Sequence, residues 1–165
     1  MGLADMRADL ESHRIEGFTF HGDDAFSVPL VSHITGNLWT GGCRDGVVLP
    51  HDFGYVVSLY QWERYELGPD TERVEVEMYD AADALDDGEQ LYDLARLVNR
   101  FRSQGKTLVH CQAGLNRSSL VAGLALVLEG MDPGSAIELL RQQRSPSVLC
   151  NPAFERWLLE RPPGG

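Results

Sequence analysis

The sequence predicts an α/β domain, a single central and mostly parallel sheet flanked by helices. Three observations predict it. Short apolar or alternating runs lie early in the chain, and long runs at helical spacing lie late. Between them one strand-like run passes directly into a helix-like one, TLVHCQAGLNRSSLVAGLALVL over 107–128. At 165 residues the chain is long enough to bury a proper core and short for two ordinary domains.

Each element follows from its own pattern. GNLWT (36–40) and YVVSLY (55–60) read as short strands. RVEVEMY (73–79) alternates apolar and charged residues as a half-buried strand does, and 106–111 is a compact apolar strand. Residues 88–104 place Leu91, Leu94, Ala95, Val98 and Phe101 on one helical face. Asp86 and Glu89 suit a capping box there and Gly105 a stop. From Arg117 or Ser118 to Glu129 the chain is apolar all round, which predicts a helix buried on most sides. Asp132-Pro133 and Asn151-Pro152 each read as an N-cap followed by proline in the first turn, opening helices over 133–143 and 152–160. No repeat or low-complexity tract interrupts the chain. The organisation expected is an unassigned segment over 1–30, the compact domain over 31–161 and a flexible tail over 162–165, with the first fifteen residues also fraying.

Composition narrows the partners. A hydrophobic fraction of 43% and a charged fraction of 24% suit a soluble globular protein. The longest apolar run, 120–128, is half a membrane span. The amino terminus alternates acids and bases rather than forming a secretory signal, and Met6 breaks a myristoylation motif, so the expected compartment is the cytoplasm. The net charge of −11 divides into −12 over 1–105 and +1 over 106–165. Such a chain is repelled by nucleic acid and by anionic membrane, so any phosphate it binds is held by a local site. Cys43, Cys111 and Cys150 form neither a CxxC pair nor a disulfide framework, which leaves them as core filler or reactive thiols and predicts no metal.

HCQAGLNRSS (110–119) is where that local site is expected. A turn between two core elements needs Gly, Asn and Ser but neither a thiol nor a guanidinium. A loop closing onto a helix N-terminus presents unpaired N–H groups and a partial positive charge, an arrangement suited to an anion. The backbone amides of Gln112, Ala113, Gly114, Leu115, Asn116 and Arg117 would supply the donors, and Gly114 would let the backbone turn inward. Arg117 can hold two oxygens of a phosphate at once. The same field favours the thiolate of Cys111. Ser118 is placed to donate to that sulfur, and His110 to orient the loop through its ring nitrogens.

HCQAGLNRSS resembles the HCxxGxxR[ST] signature of the cysteine-dependent protein tyrosine phosphatase superfamily, and in its HCxAGxxRS form the dual-specificity branch. NLWTGG resembles that branch's first strand, and RSPSVLCNPAFERWL its RPxxxPNxGFxxQL segment, so the likeness spans about 34–160. Cys150 replaces the usual proline, Ala153 the usual glycine, and Pro146 follows Ser145. The resemblance implies that Cys111 attacks phosphorus, that the loop amides of 112–117 hold the oxygens, and that a cysteinyl-phosphate forms and is hydrolysed without metal or cofactor. The substrate implied is a phosphorylated protein or peptide bearing phosphotyrosine, with phosphoserine and phosphothreonine left open. It also implies an acid about thirty residues upstream, after an alternating strand. Asp80 stands at that distance, Asp83 is the alternative, and Asp86 and Asp87 fit helix capping.

Chain order speaks against the low-molecular-weight phosphatases and the rhodanese-like ones. The neutral side chains of Gln112, Ala113, Leu115 and Asn116 speak against inositol phosphates. A non-catalytic phosphoresidue-binding module is the alternative, but it predicts loss of Cys111 or Arg117, and both are present. Cys43 is either a second thiol near Cys111 or a small buried residue. Trp62 and Tyr65 either wall a phosphoester pocket or pack within their loop, Trp157 is expected in the core, and His13, His21, His33 and His51 show no mutual ligand spacing.

Overall fold

A computed structural model describes residues 13–21 and 25–164. In chain order the elements are β1 (Arg14–Phe18), β2 (Ala25–Pro29), β3 (Val31–Thr35), β4 (Leu38–Gly41), β5 (Tyr55–Ser58), β6 (Glu72–Glu75) and a 3₁₀ turn (Ala82–Leu85). There follow α1 (Gly88–Gln104), β7 (Thr107–His110), α2 (Arg117–Leu128), α3 (Pro133–Gln143) and α4 (Pro152–Leu159). Five strands form one sheet in the order β3-β4-β7-β5-β6, parallel except where β3 meets β4. This is the expected α/β architecture. β1 and β2 form a separate antiparallel hairpin.

β7 lies centrally and all four of its residues are buried, apolar Leu108 and Val109 between polar Thr107 and His110. Leu38, Val57 and Val109 face the larger core, to which all four helices contribute. Val31, Val56, Leu108 and partly buried Trp39 face a smaller one, completed by Leu49, Phe53 and partly buried Val47, Tyr65 and Leu67 from the connections. Helix α2 is buried from Arg117 to Val127, as an apolar circumference requires.

Several boundaries differ from the sequence reading. The strand expected over 73–79 ends at Glu75 because its partner β5 ends at Ser58. One further bond, Val76 N to Ser58 O at 2.9 Å, closes the pairing before the chain leaves the sheet. Asp86 does not cap α1. Its N–H closes the 3₁₀ turn on Asp83 O at 3.1 Å, and Asp87 Oδ1 instead accepts from Gln90 N at 3.0 Å. Trp157 is half-buried rather than central, packed beside Tyr92 with Arg161 over its ring. The hairpin and β3 had no prediction. The fraying expected of the first fifteen residues falls, for 1–12, outside the described residues. Arg14 and Ile15 belong to β1. Gly164 N donates to Val127 O at 2.8 Å, which brings the tail back onto α2.

Candidate active site

The site grows from the end of β7. Cys111, 2% exposed, follows the strand, and its N–H donates to Gly41 O at 3.1 Å. Cys43 N donates to Gln112 O at 3.1 Å, so the start of the loop is tied to the end of β4. Gly114 then turns the backbone inward at φ +73° and donates its N–H to Cys111 Sγ at 3.2 Å. A Cβ there would stand 2.4 Å from the Gly41 carbonyl carbon and 2.5 Å from an Arg144 nitrogen, so only glycine fits. Behind the sulfur, Ser118 is fully buried and accepts from the thiol at 3.4 Å.

Arg144 grips the back of the loop. Its Nε donates to Gly114 O at 2.7 Å and Nη2 to Ala113 O at 2.9 Å, while Nη1 reaches Pro29 O at 2.9 Å and Ser32 Oγ at 3.0 Å. Burial lowers its guanidinium pKa to about 10, so it stays cationic near neutrality. Leu149, at φ 56°, donates its N–H to Leu115 O at 2.8 Å and fixes the far side. Neither residue was singled out from the sequence. Arg144 opens the RSPSVLC segment, and its place at the arginine of the RPxxxPNxGFxxQL resemblance was the signal that could have found it.

His110 is buried at 1% exposure, and desolvation drives its pKa down to about 4, which keeps the ring neutral. Nδ1 lies 3.2 Å from Cys111 O. A carbonyl only accepts, so Nδ1 carries the proton and Nε2 accepts from the Tyr65 hydroxyl. Burial also raises Tyr65 to about 12, so that hydroxyl keeps its proton. Tyr65 therefore props His110 and is not among the residues that line the cavity of Cys111. Trp62 is 73% exposed beside a small cavity of about 50 Å³ next to Arg117.

Arg117 donates from Nη1 to Met78 O at 3.2 Å and lies 5.3 Å from the Tyr60 ring centroid. Its Nε is buried and has no hydrogen-bond partner among the described residues. Asp80 is held by two amides, Asn116 Nδ2 to Oδ2 at 2.9 Å and Asn151 Nδ2 to Oδ1 at 2.8 Å, with His21 Nε2 3.4 Å from Oδ1. Asn151 N donates in turn to Asn116 Oδ1 at 2.9 Å. Cys150 is half-buried rather than core, with Sγ 3.4 Å from Asn116 Nδ2.

These groups surround one cavity of about 560 Å³. Cys111, Gln112, Ala113, Leu115, Asn116 and Arg117 line it together with Asp80. Gly114 and Ser118 support the loop from behind. Asp83 is elsewhere, on a separate cavity with Glu77, Tyr79 and Gln90. Cys43 does share the main cavity with Cys111, and burial, reinforced by the Cys111 charge, pushes its thiol up to about 12.

A thiol cradled between a parallel strand and a helix start, with a guanidinium and a carboxylate on the same cavity, defines a class of phosphate-handling site. The chain belongs to the dual specificity phosphatase family, whose catalytic-domain model matches residues 49–162. Solved structures agree on the fold. Human DUSP28 is 20% identical, with 78% of this chain and 95% of that one covered and a TM-score of 0.66. The human tyrosine phosphatase-like serine/threonine/tyrosine-interacting protein is 17% identical, with 79% and 93% covered and a TM-score of 0.66. OH1 of the Orf virus, a tyrosine phosphatase of triple substrate specificity, is 20% identical, with 78% and 83% covered and a TM-score of 0.57. No curated protein matches in sequence. Among the described residues no helix is long and apolar enough to cross a membrane.

Proposed function

We propose that the protein hydrolyses phosphate monoesters of phosphoproteins, phosphotyrosine among them, through a cysteinyl-phosphate on Cys111. The observation that carries this is the unpartnered Nε of Arg117, buried on the cavity that Cys111 lines. An orphaned buried donor of this kind costs stability unless an acceptor arrives, and a phosphate oxygen is such an acceptor.

In the first step Cys111, its thiol proton lost to solvent, attacks phosphorus. The P–O ester bond breaks, and the leaving oxygen takes a proton from the Asp80 carboxyl. The loop amides of 112–117 and Arg117 hold the non-bridging oxygens as charge shifts. In the second step the Asp80 carboxylate takes a proton from water, whose oxygen attacks phosphorus. The P–S bond breaks, inorganic phosphate leaves, and the Ser118 hydroxyl turns to donate to the released thiolate. Asn116 and Asn151 aim Asp80 at this work.

The test is hydrolysis of a small aryl phosphate against pH, with EDTA present, for wild type, Cys111→Ser, Asp80→Asn and Asp83→Asn. Cys111→Ser should be inactive, Asp80→Asn should lose the basic limb of a bell-shaped profile, and Asp83→Asn should keep it. Activity surviving in Cys111→Ser removes the covalent mechanism.

A further inference from the structure

We infer that the β1–β2 hairpin reads the group that carries the phosphate, and that this group is an aromatic ring. The inference rests on the phosphatase reading and names its substrate class as phosphotyrosine. The hairpin lies before the family-matched residues 49–162.

The hairpin is tied at both ends of the cavity. At one end Ile15 Cδ1 fills the space beside Gly42 where a side chain would stand, next to the Gln112 carbonyl. Arg44 Nη2 donates to Arg14 O at 2.8 Å on the same side. At the other end His21 Nε2 lies 3.4 Å from Asp80 Oδ1. The strand between these ties spans the gap from the nucleophile's loop to the carboxylate.

Within that span the side-chain positions are unusual. Gly17 pairs with Phe26 across the hairpin, and a Cβ on Gly17 would stand 2.8 Å from Phe26 Cζ. The missing side chain thus gives the Phe26 ring its seat, half-buried on the cavity. Phe18 and Phe20 line the same cavity at its mouth, 72% and 95% exposed. Exposed phenyl groups clustered on a cavity rim mark a surface that is covered when a ligand binds. With its phosphate on the Cys111 loop, a phosphotyrosyl ring meets Phe26 and the rim phenylalanines. A phosphothreonine carries no ring and gains nothing from them.

The experiment measures kcat/KM on two peptides of one sequence, bearing phosphotyrosine or phosphothreonine, for wild type, Phe26→Leu and the double variant Phe18→Ala/Phe20→Ala. Leucine keeps apolar volume under the hairpin, and the double variant alters only exposed positions. Wild type should prefer phosphotyrosine, and the preference should fall about 3- to 10-fold in each variant, chiefly through KM, the size of one aromatic contact. A preference that survives both variants while turnover persists overturns the inference alone. Absence of turnover on both peptides in wild type overturns the phosphatase reading and the inference with it.

Discussion

His110 shows how one buried side chain sets a pH limit on the fold. Its pKa falls from 6.5 in the unfolded chain to about 4 in the folded one, through burial. Between those values the unfolded chain binds the extra proton, so the stability present above pH 6.5 is lost as pH falls toward 4. The shift corresponds to about 3 kcal/mol. Urea unfolding from pH 7 to 4 should show wild type losing about that much more stability than His110→Gln; equal losses would refute the assignment. The loop residues were legible in HCQAGLNRSS because thiol, turn glycine and guanidinium are fixed in local sequence. The partners of Arg144 were not, since Gly114 O and Pro29 O are distant backbone atoms that leave no trace in sequence.

At the scale of elements, proline and cap chemistry placed α3 and α4 to within a residue, since a cap is a local event. The edge strand β6 was overdrawn because its end is set by β5 rather than by its own alternation. The hairpin was missed for a related reason: its five-residue strands face a cavity and carry no continuous apolar stripe. Asn151 joins two elements. Its Oδ1 accepts from Ala153 N at 3.1 Å to cap α4, while its Nδ2 holds Asp80. Asn151→Ser retains a capping oxygen and loses the amide donor; Asn151→Ala loses both. Thermal unfolding should therefore rank Ser above Ala by about 1 kcal/mol. Both variants should lower kcat, with a larger effect on kcat than on KM. Equal kcat in wild type and both variants would show that Asp80 does not depend on this amide.

Across the whole molecule, the acidic charge balance predicts a preference among peptides. The net charge is −11, and Glu16, Glu63 and Asp80 stand on the cavity against Arg44 and Arg117. Peptides with acidic residues beside the phosphorylated one should show lower kcat/KM than the same peptides with basic neighbours. The gap should narrow as salt is raised from about 0.05 to 0.5 M, because screening shortens the reach of the acidic field. A gap insensitive to salt would assign the preference to direct contacts. Fold class was legible from the order of strand-like runs before helix-like ones and from the passage of one strand into a buried helix over 107–128, which organises the core. Arg144 carries a further consequence for biosynthesis. Through Pro29 O and Ser32 Oγ it fastens the foot of the hairpin to the loop, across more than a hundred residues of chain. During translation the hairpin emerges more than a hundred residues before its clamp, so it docks only once Arg144 has been made.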